Sequence, residues 1–299
     1  MARRRLIGIV VTFVSGVLFA TLPILFRIVT TDGVNLVTAL ALRFTLASVM
    51  IGVIAAWRGK RERQPSAPMN RGQWLVFGLM GVLYIGQSFS YLSSSLRIPI
   101  ATTSILLYTY PAIVTVLARL FLQEALTQVK LMSLAFVLVG TLLTLGAPHA
   151  ANDWLGVAFG LAAALIYSTY IIVGARAQRG MSPTISSMVI TLSAGLATGA
   201  FGAVTGQLQL MLDVHTWMAV IALAALSAAV PILFFLMGVE RIGASQASII
   251  STSELASTAI FGALYLAQPL SSLQLGGGVL IAAAVVLLAR AQRPNPSKD

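Results

Sequence analysis

Cysteine is absent from the 299 residues. That excludes disulfides, thiolate metal centres and cysteine nucleophiles. Charge is scarce: 9% of residues carry it, and there are eight acids and two histidines. His149 and His215 stand singly in outer links, with no cluster of ligands to make a metal site. Hydrolase elbows, phosphate loops and paired catalytic carboxylates are also missing, so neither an enzyme nor a cofactor is expected. Long polar stretches are lacking as well. The longest polar link runs from Trp57 to Gly72. It leaves no room for a soluble output domain, which counts against a membrane sensor.

What is present is apolar. Hydrophobic residues make up 58% of the chain, against roughly 45–50% in soluble domains. Several apolar runs are long enough to cross a bilayer as helices. Ten spans are predicted, at about 6–29, 34–57, 72–94, 99–121, 128–147, 154–176, 183–205, 216–238, 243–266 and 271–290. The apolar stretch after Arg3-Arg4-Arg5 is too long for a signal peptide and reads as the first span.

The net charge of +11 reflects topology and not nucleic-acid binding. With the N-terminus inside, 16 of the 19 Lys and Arg fall on the cytoplasmic side, as the positive-inside rule requires. Arg27 and Arg97 lie near outer ends and Arg43 within a span. Both termini are therefore expected in the cytoplasm.

A shift of 144 residues aligns Leu92–Leu131 with Leu236–Leu275 without a gap, and ten of the 40 positions are identical. Among them, Arg97/Arg241 and Ser104/Ser248 are not explained by Leu and Ala bias. The expected fold is an all-α integral membrane protein, ten transmembrane helices arranged as two inverted five-helix repeats, at 1–150 and 151–293, with a cytoplasmic tail at 294–299. Five is odd, so the halves enter the membrane from opposite sides. Inverted repeats are a transporter device, with the substrate held near the midplane at the repeat interface.

Seven of the eight acids fall in links or at span ends. Glu254 alone is deep, about 16 Å into its span. A carboxylate there costs on the order of 2.5–3.5 kcal/mol and marks a cavity or a partner. Either it binds a substrate ammonium or carries a proton, or it is packing glue hydrogen-bonded to Ser251 or Ser257. Arg43 is the one base well inside a span. It is a candidate for binding a carboxylate or pairing with Glu254, unless it snorkels outward. The remaining substrate-binding candidates are Gln246, Tyr108, Gln87, Tyr84 and Ser251, with Tyr91, Tyr167 and Tyr170 as weaker ones. Tyr84, Gln87, Ser88 and Tyr91 share one helical face. Pro111 and Pro231 remove backbone donors mid-span and are candidate gating or hinge positions. The pairs Gly156/Gly160, Gly195/Gly199 and Gly202/Gly206 predict close helix packing.

The fourth span resembles the repeat ending of the drug/metabolite transporter superfamily, in its EamA-type ten-helix members. The likeness rests on Leu96, Ala101, Ser104, Leu107, Pro111, Leu117, Leu122, Glu124, Leu126 and Thr127, and on Arg43-Phe44 in the second span. The second half departs from the pattern: Leu255 stands for the central proline and Gln268 for the linker Glu. Within that superfamily the chain looks like the bacterial aromatic amino-acid exporters. The resemblance implies a multi-pass protein of the bacterial inner membrane whose partners are the lipid bilayer and a small-molecule substrate. Its implied function is export of amino acids, including aromatic ones, by alternating access. Cationic drugs or sugar nucleotides on the same fold are the alternatives, and the scarcity of cavity cations counts against a nucleotide. No nucleic-acid partner is expected, and a monomer would suffice.

Overall fold

A long apolar segment in hydrocarbon can satisfy its backbone alone only as a helix. Helices are what the chain forms throughout residues 2–61, 71–95, 97–98, 100–145, 153–177, 182–266 and 271–290, which the computed structural model describes. The first crossing is α1 (Ala2–Phe19) with α2 (Leu22–Thr31), the second α3 (Leu36–Arg61) and the third α4 (Arg71–Ser95). The fourth is α5 (Ile100–Leu107) with α6 (Tyr110–Phe121), and the fifth α7 (Gln128–Leu145). Then come α8 (Trp154–Ala177) and α9 (Pro183–Val204). The eighth joins α10 (Val214–Ala224), a π-helical turn (Ala225–Ala229) and α11 (Val230–Ile242). The ninth is α12 (Ala244–Ser251) with α13 (Ser253–Leu266), and the tenth α14 (Ser272–Arg290). Eight of the crossings are long and apolar enough to span a membrane by length and composition, and α7 is a shorter apolar helix. The ninth is the polar one, broken at Thr252 between Ser251 and Ser253.

Three breaks have a proline at the start of the second piece: Pro23 in α2, Pro111 in α6 and Pro231 in α11. Proline has no N–H to give the carbonyl four residues back, and it fits the first turn of a new helix. Gln268, His149 and residues 294–299 lie outside the described residues.

Packing follows a pseudo-twofold. α4 lies along α8, and by the repeat offset α11 lies along α1. α3 pairs with α9 and α7 with α14 across the axis. The two crossings match in detail. A Cβ on Gly156 would meet Ile98 at 2.7 Å and Arg97 at 2.9 Å, and one on Gly8 would meet Ile242 at 2.7 Å and Arg241 at 2.8 Å. A Cβ on Gly140 would meet the Gly277 carbonyl at 2.8 Å where α7 crosses α14. The predicted glycine packing holds at Gly156, Gly160, Gly195 and Gly202, which face Ile98, Leu106, Thr45 and Val37. Gly199 and Gly206 instead face open space, and Gly206 serves a turn at φ +68°. The start of α1 and the end of α14 lie on one side, because the Arg5 guanidinium donates to the Leu288 carbonyl at 3.4 Å.

Candidate transport site

The fourth and ninth crossings break at equivalent positions, and the 144-residue offset maps Tyr110 onto Glu254. Both residues sit in the first turn of a half-helix near mid-membrane. Gly16 of α1 makes room for the second break: a Cβ there would meet the Ser251 carbonyl at 3.0 Å and the Glu254 nitrogen at 3.1 Å.

Glu254 is half-buried, although Ser251, Thr252 and Ser253 before it are buried. Tyr84, Tyr108 and Tyr167 are half-buried as well. Among the described residues no hydrogen-bond or ion-pair partner reaches the Glu254 carboxylate. Its backbone carbonyl accepts from Thr258 at 2.8 Å. The expected packing bond to Ser251 is absent, because the Ser251 hydroxyl pairs with Tyr110 Oη at 2.7 Å and donates to the Ser248 carbonyl at 2.9 Å. The charge of Glu254 acts on Arg43 and on Tyr84, Tyr91, Tyr108, Tyr110 and Tyr167.

Those tyrosines form a continuous aromatic wall. Phe44 meets Tyr84 edge-on with centroids 5.4 Å apart, Tyr84 meets Tyr170 at 5.6 Å, and Tyr170 stacks on Tyr167 at 5.8 Å. Tyr167 meets Tyr110 at 4.9 Å and Tyr110 meets Tyr108 at 6.1 Å. Aromatic faces attract a cation and bury an apolar body together. Tyr91 closes the row by pairing with Ser104 at 2.9 Å. Gln87 is half-buried, and its Oε1 accepts from Ser88 at 3.4 Å. Tyr110 was not singled out in the sequence; its offset from Glu254 was the available signal.

Arg43 does not snorkel. It is 3% exposed, stacked over Phe44 at 4.8 Å, and donates to the Ser227 carbonyl in the π-turn. Gln246 lies two helical turns from Glu254 toward the chain termini, where its Oε1 accepts from Arg5 at 3.2 Å. That end carries further ties. Glu124 pairs with Lys130 at 3.0 Å, and its other oxygen accepts from the Ala244 N–H at 2.8 Å, capping α12. Gly243 before it has φ +84°, and a Cβ there would meet Glu124 at 2.7 Å. Thr115 bonds Ser245 at 3.1 Å. Glu124, at a span end in the sequence, thus bridges Lys130 of its own repeat and α12 of the other. Away from all this, a groove of about 400 Å³ between α4 and α9 is lined by Trp74, Val189, Leu192 and Leu196 and faces outward.

Comparison with known proteins agrees with this architecture. A solved crystal structure superposes with a TM-score of 0.79, covering 96% of this chain and 99% of its own at 20% identity, which speaks for the fold alone. An uncharacterized transporter of Synechocystis is 25% identical over 243 residues, 78% of this chain and 71% of its own. Another, of Archaeoglobus fulgidus, is 26% identical over 198 residues, 66% of this chain and 70% of its own. The EamA-like transporter family matches twice, at residues 6–146 and 154–290, with α1 to α7 in the first match and α8 to α14 in the second. The chain is a multi-pass membrane transporter of the EamA-like transporter family.

Proposed function

We propose that this transporter exports small amphipathic metabolites, amino acids including aromatic ones, from the bacterial cytoplasm across the inner membrane. Transport proceeds by alternating access, as the repeats 1–150 and 151–293 rock about a site between the fourth and ninth crossings. The carrying observation is a carboxylate in the middle of the ninth crossing that has no partner among the described residues, near a wall of tyrosines. Glu254 receives the substrate ammonium, and Tyr84, Tyr108 and Tyr167 cover its apolar body, with Gln87 beside them and Ser251 holding Tyr110. A zwitterion brings no net charge into the site, whereas a quaternary ammonium drug adds one in a low-dielectric interior. Both termini face the cytoplasm.

The test is counterflow in proteoliposomes with labelled phenylalanine, tyrosine and tryptophan. Competition by aliphatic amino acids should be weaker, and a quaternary ammonium dye should not be carried. Dye counterflow without amino-acid counterflow overturns the substrate class. Orientation is checked with an impermeant maleimide on intact cells: Met211→Cys should label and Gln123→Cys should not.

A further inference from the structure

Among the described residues the eighth crossing alone is both proline-broken and π-turned, and the buried Arg43 points at its break. In an α-helix the Ser227 carbonyl would accept from the N–H of residue 231, which is proline and has none. Around it the ladder slips, since the Val230 N–H bonds five residues back to Ala225, the π-turn expected where a backbone bond is lost. A buried carbonyl left without a donor is costly. Here the donor comes from another helix, as the Arg43 guanidinium on α3 bonds Ser227 O. Ser15 of α1 holds the far side of the same break by donating to the Pro231 carbonyl at 2.7 Å. Arg43 also touches the wall, over the Phe44 ring at 4.8 Å and beside the Tyr84 hydroxyl. At 3% exposure it has almost no surface left for a ligand.

We propose that Arg43 is a positioning residue and not a ligand for the substrate carboxylate: its guanidinium replaces the backbone donor missing at Pro231, pinning the π-turn of the eighth crossing to the second and third. It thereby sets where the eighth crossing hinges and how Tyr84 stands in the wall. The assignment rests on the reading of the Glu254 region as the transport site. It predicts an energetic coupling between two residues of which only one is charged. The repeat offset gives a control within the molecule, because the positions matching Ser227 and Pro231 are Leu83 and Gln87. That half has no proline at the matching place and needs no clamp.

The experiment is a double-mutant cycle of Arg43→Met and Pro231→Ala in the full-length carrier, read as flux and as thermal unfolding in detergent. In the native background Arg43→Met should cut maximal flux about tenfold or more, with KM within about twofold, and lower the melting temperature. With Pro231→Ala restoring the N–H, the same change should cost less than about threefold in flux and little in melting. Arg43→Lys, which keeps a donor, should fall between. Equal losses in both backgrounds overturn the proposal. So does a KM rise confined to substrates bearing a carboxylate and absent for their amides, which makes Arg43 the carboxylate ligand. If Arg43→Met does not accumulate, recovery by Pro231→Ala supports the proposal and continued absence overturns it. Should the wild type carry no amino acid, the melting cycle still decides the Arg43–Pro231 coupling, so the two failures are separable.

Discussion

The fourth and ninth crossings are one element used twice, and they differ at the places that matter. Each breaks near mid-membrane, but the fourth does so at Pro111 and the ninth, with Leu255 in that position, at a run of Ser and Thr. Tyr110 occupies the place of Glu254. Toward the termini, Thr115 hydrogen-bonds Ser245, whereas the repeat-equivalent pair on the other side is Ala259 and Ala101, two methyl groups that cannot. The lesson is a division of labour. A shared backbone plan gives the rocking axis. Unequal side chains on that plan place Glu254 in one half and most of the aromatic surface in the other, and give the terminal end a hydroxyl pair that the matching positions lack.

The largest effect should come from the Tyr110/Glu254 difference. Glu254→Gln keeps shape and hydrogen-bonding capacity but removes the charge that attracts an ammonium, so substrate affinity should fall tenfold or more, about 1.4 kcal/mol at least. Tyr110→Phe loses a hydroxyl whose partners are Ser251 and the Ser248 carbonyl, a loss of about 1 kcal/mol in stability with affinity nearly kept. Substrate titration of proteoliposome flux for both variants checks this. Unchanged affinity in Glu254→Gln, together with an unchanged response to a pH gradient, removes Glu254 from both substrate binding and proton carriage.

Next in size is the tie at the terminal end. Glu124→Ala frees the Ala244 N–H and leaves Lys130, whose side chain is 7% exposed, without its acid. Removing one member of a buried pair is destabilising because the other charge stays behind. An expected loss of about 1–3 kcal/mol should show as a lower melting temperature. A cysteine replacing Ser245 should also become more reactive from the cytoplasm. Lys130→Met alone should cost less, since the Glu124 cap on α12 survives it. If both variants melt like wild type, the Glu124 tie contributes nothing to the stability of the terminal end.

Much of this was legible in the sequence, and the reason is periodicity. Apolar length gave ten crossings, and the 144-residue offset gave the inverted halves. Scarcity of charge made Glu254 conspicuous. What was not legible depends on pairing across the repeat interface. Gln246 lies on the same crossing as Glu254 but belongs to Arg5, from the other half of the chain. Glu124 looks like an ordinary linker acid until α12 begins against it. Arg43 reads equally well as ligand, counter-ion or snorkel, because the carbonyl it serves is freed by a proline 188 positions away. Gly16 is one glycine among 25, and only contact with the α12–α13 break distinguishes it.

The smallest effect tests the same contrast at the surface. Arg97 bonds Asp153 at 3.0 Å on one side of the protein, and on the other Arg4 bonds Glu240, the neighbour of Arg241 that matches Arg97, at 3.3 Å. Such exposed pairs contribute little and are screened by salt. Asp153 differs from Glu240 in having a second task. It caps α8, accepting from the Leu155 N–H at 2.9 Å and the Gly156 N–H at 3.2 Å. The Gly156 N–H first, then the Arg97 guanidinium, hold its carboxyl below the usual aspartate range. A carboxyl with a lowered folded-state pKa adds stability above its unfolded value, near ~4, and loses it as the pH falls through the folded one. Asp153→Asn keeps the cap and removes the charge, because Asn caps as well as Asp. Asp153→Ala removes both. At pH 7 the melting temperatures should therefore rank wild type, then Asn, then Ala, with narrow gaps. Once the pH has fallen below the lowered folded-state pKa of Asp153, the wild-type and Asn proteins should coincide while Ala stays lowest. In high salt at pH 7 the wild-type and Asn gap should shrink and the Ala gap persist. A Glu240→Gln protein should show the salt-sensitive part alone, and a pH-dependent loss there as large as at Asp153 would mean that the cap contributes nothing beyond the ion pair.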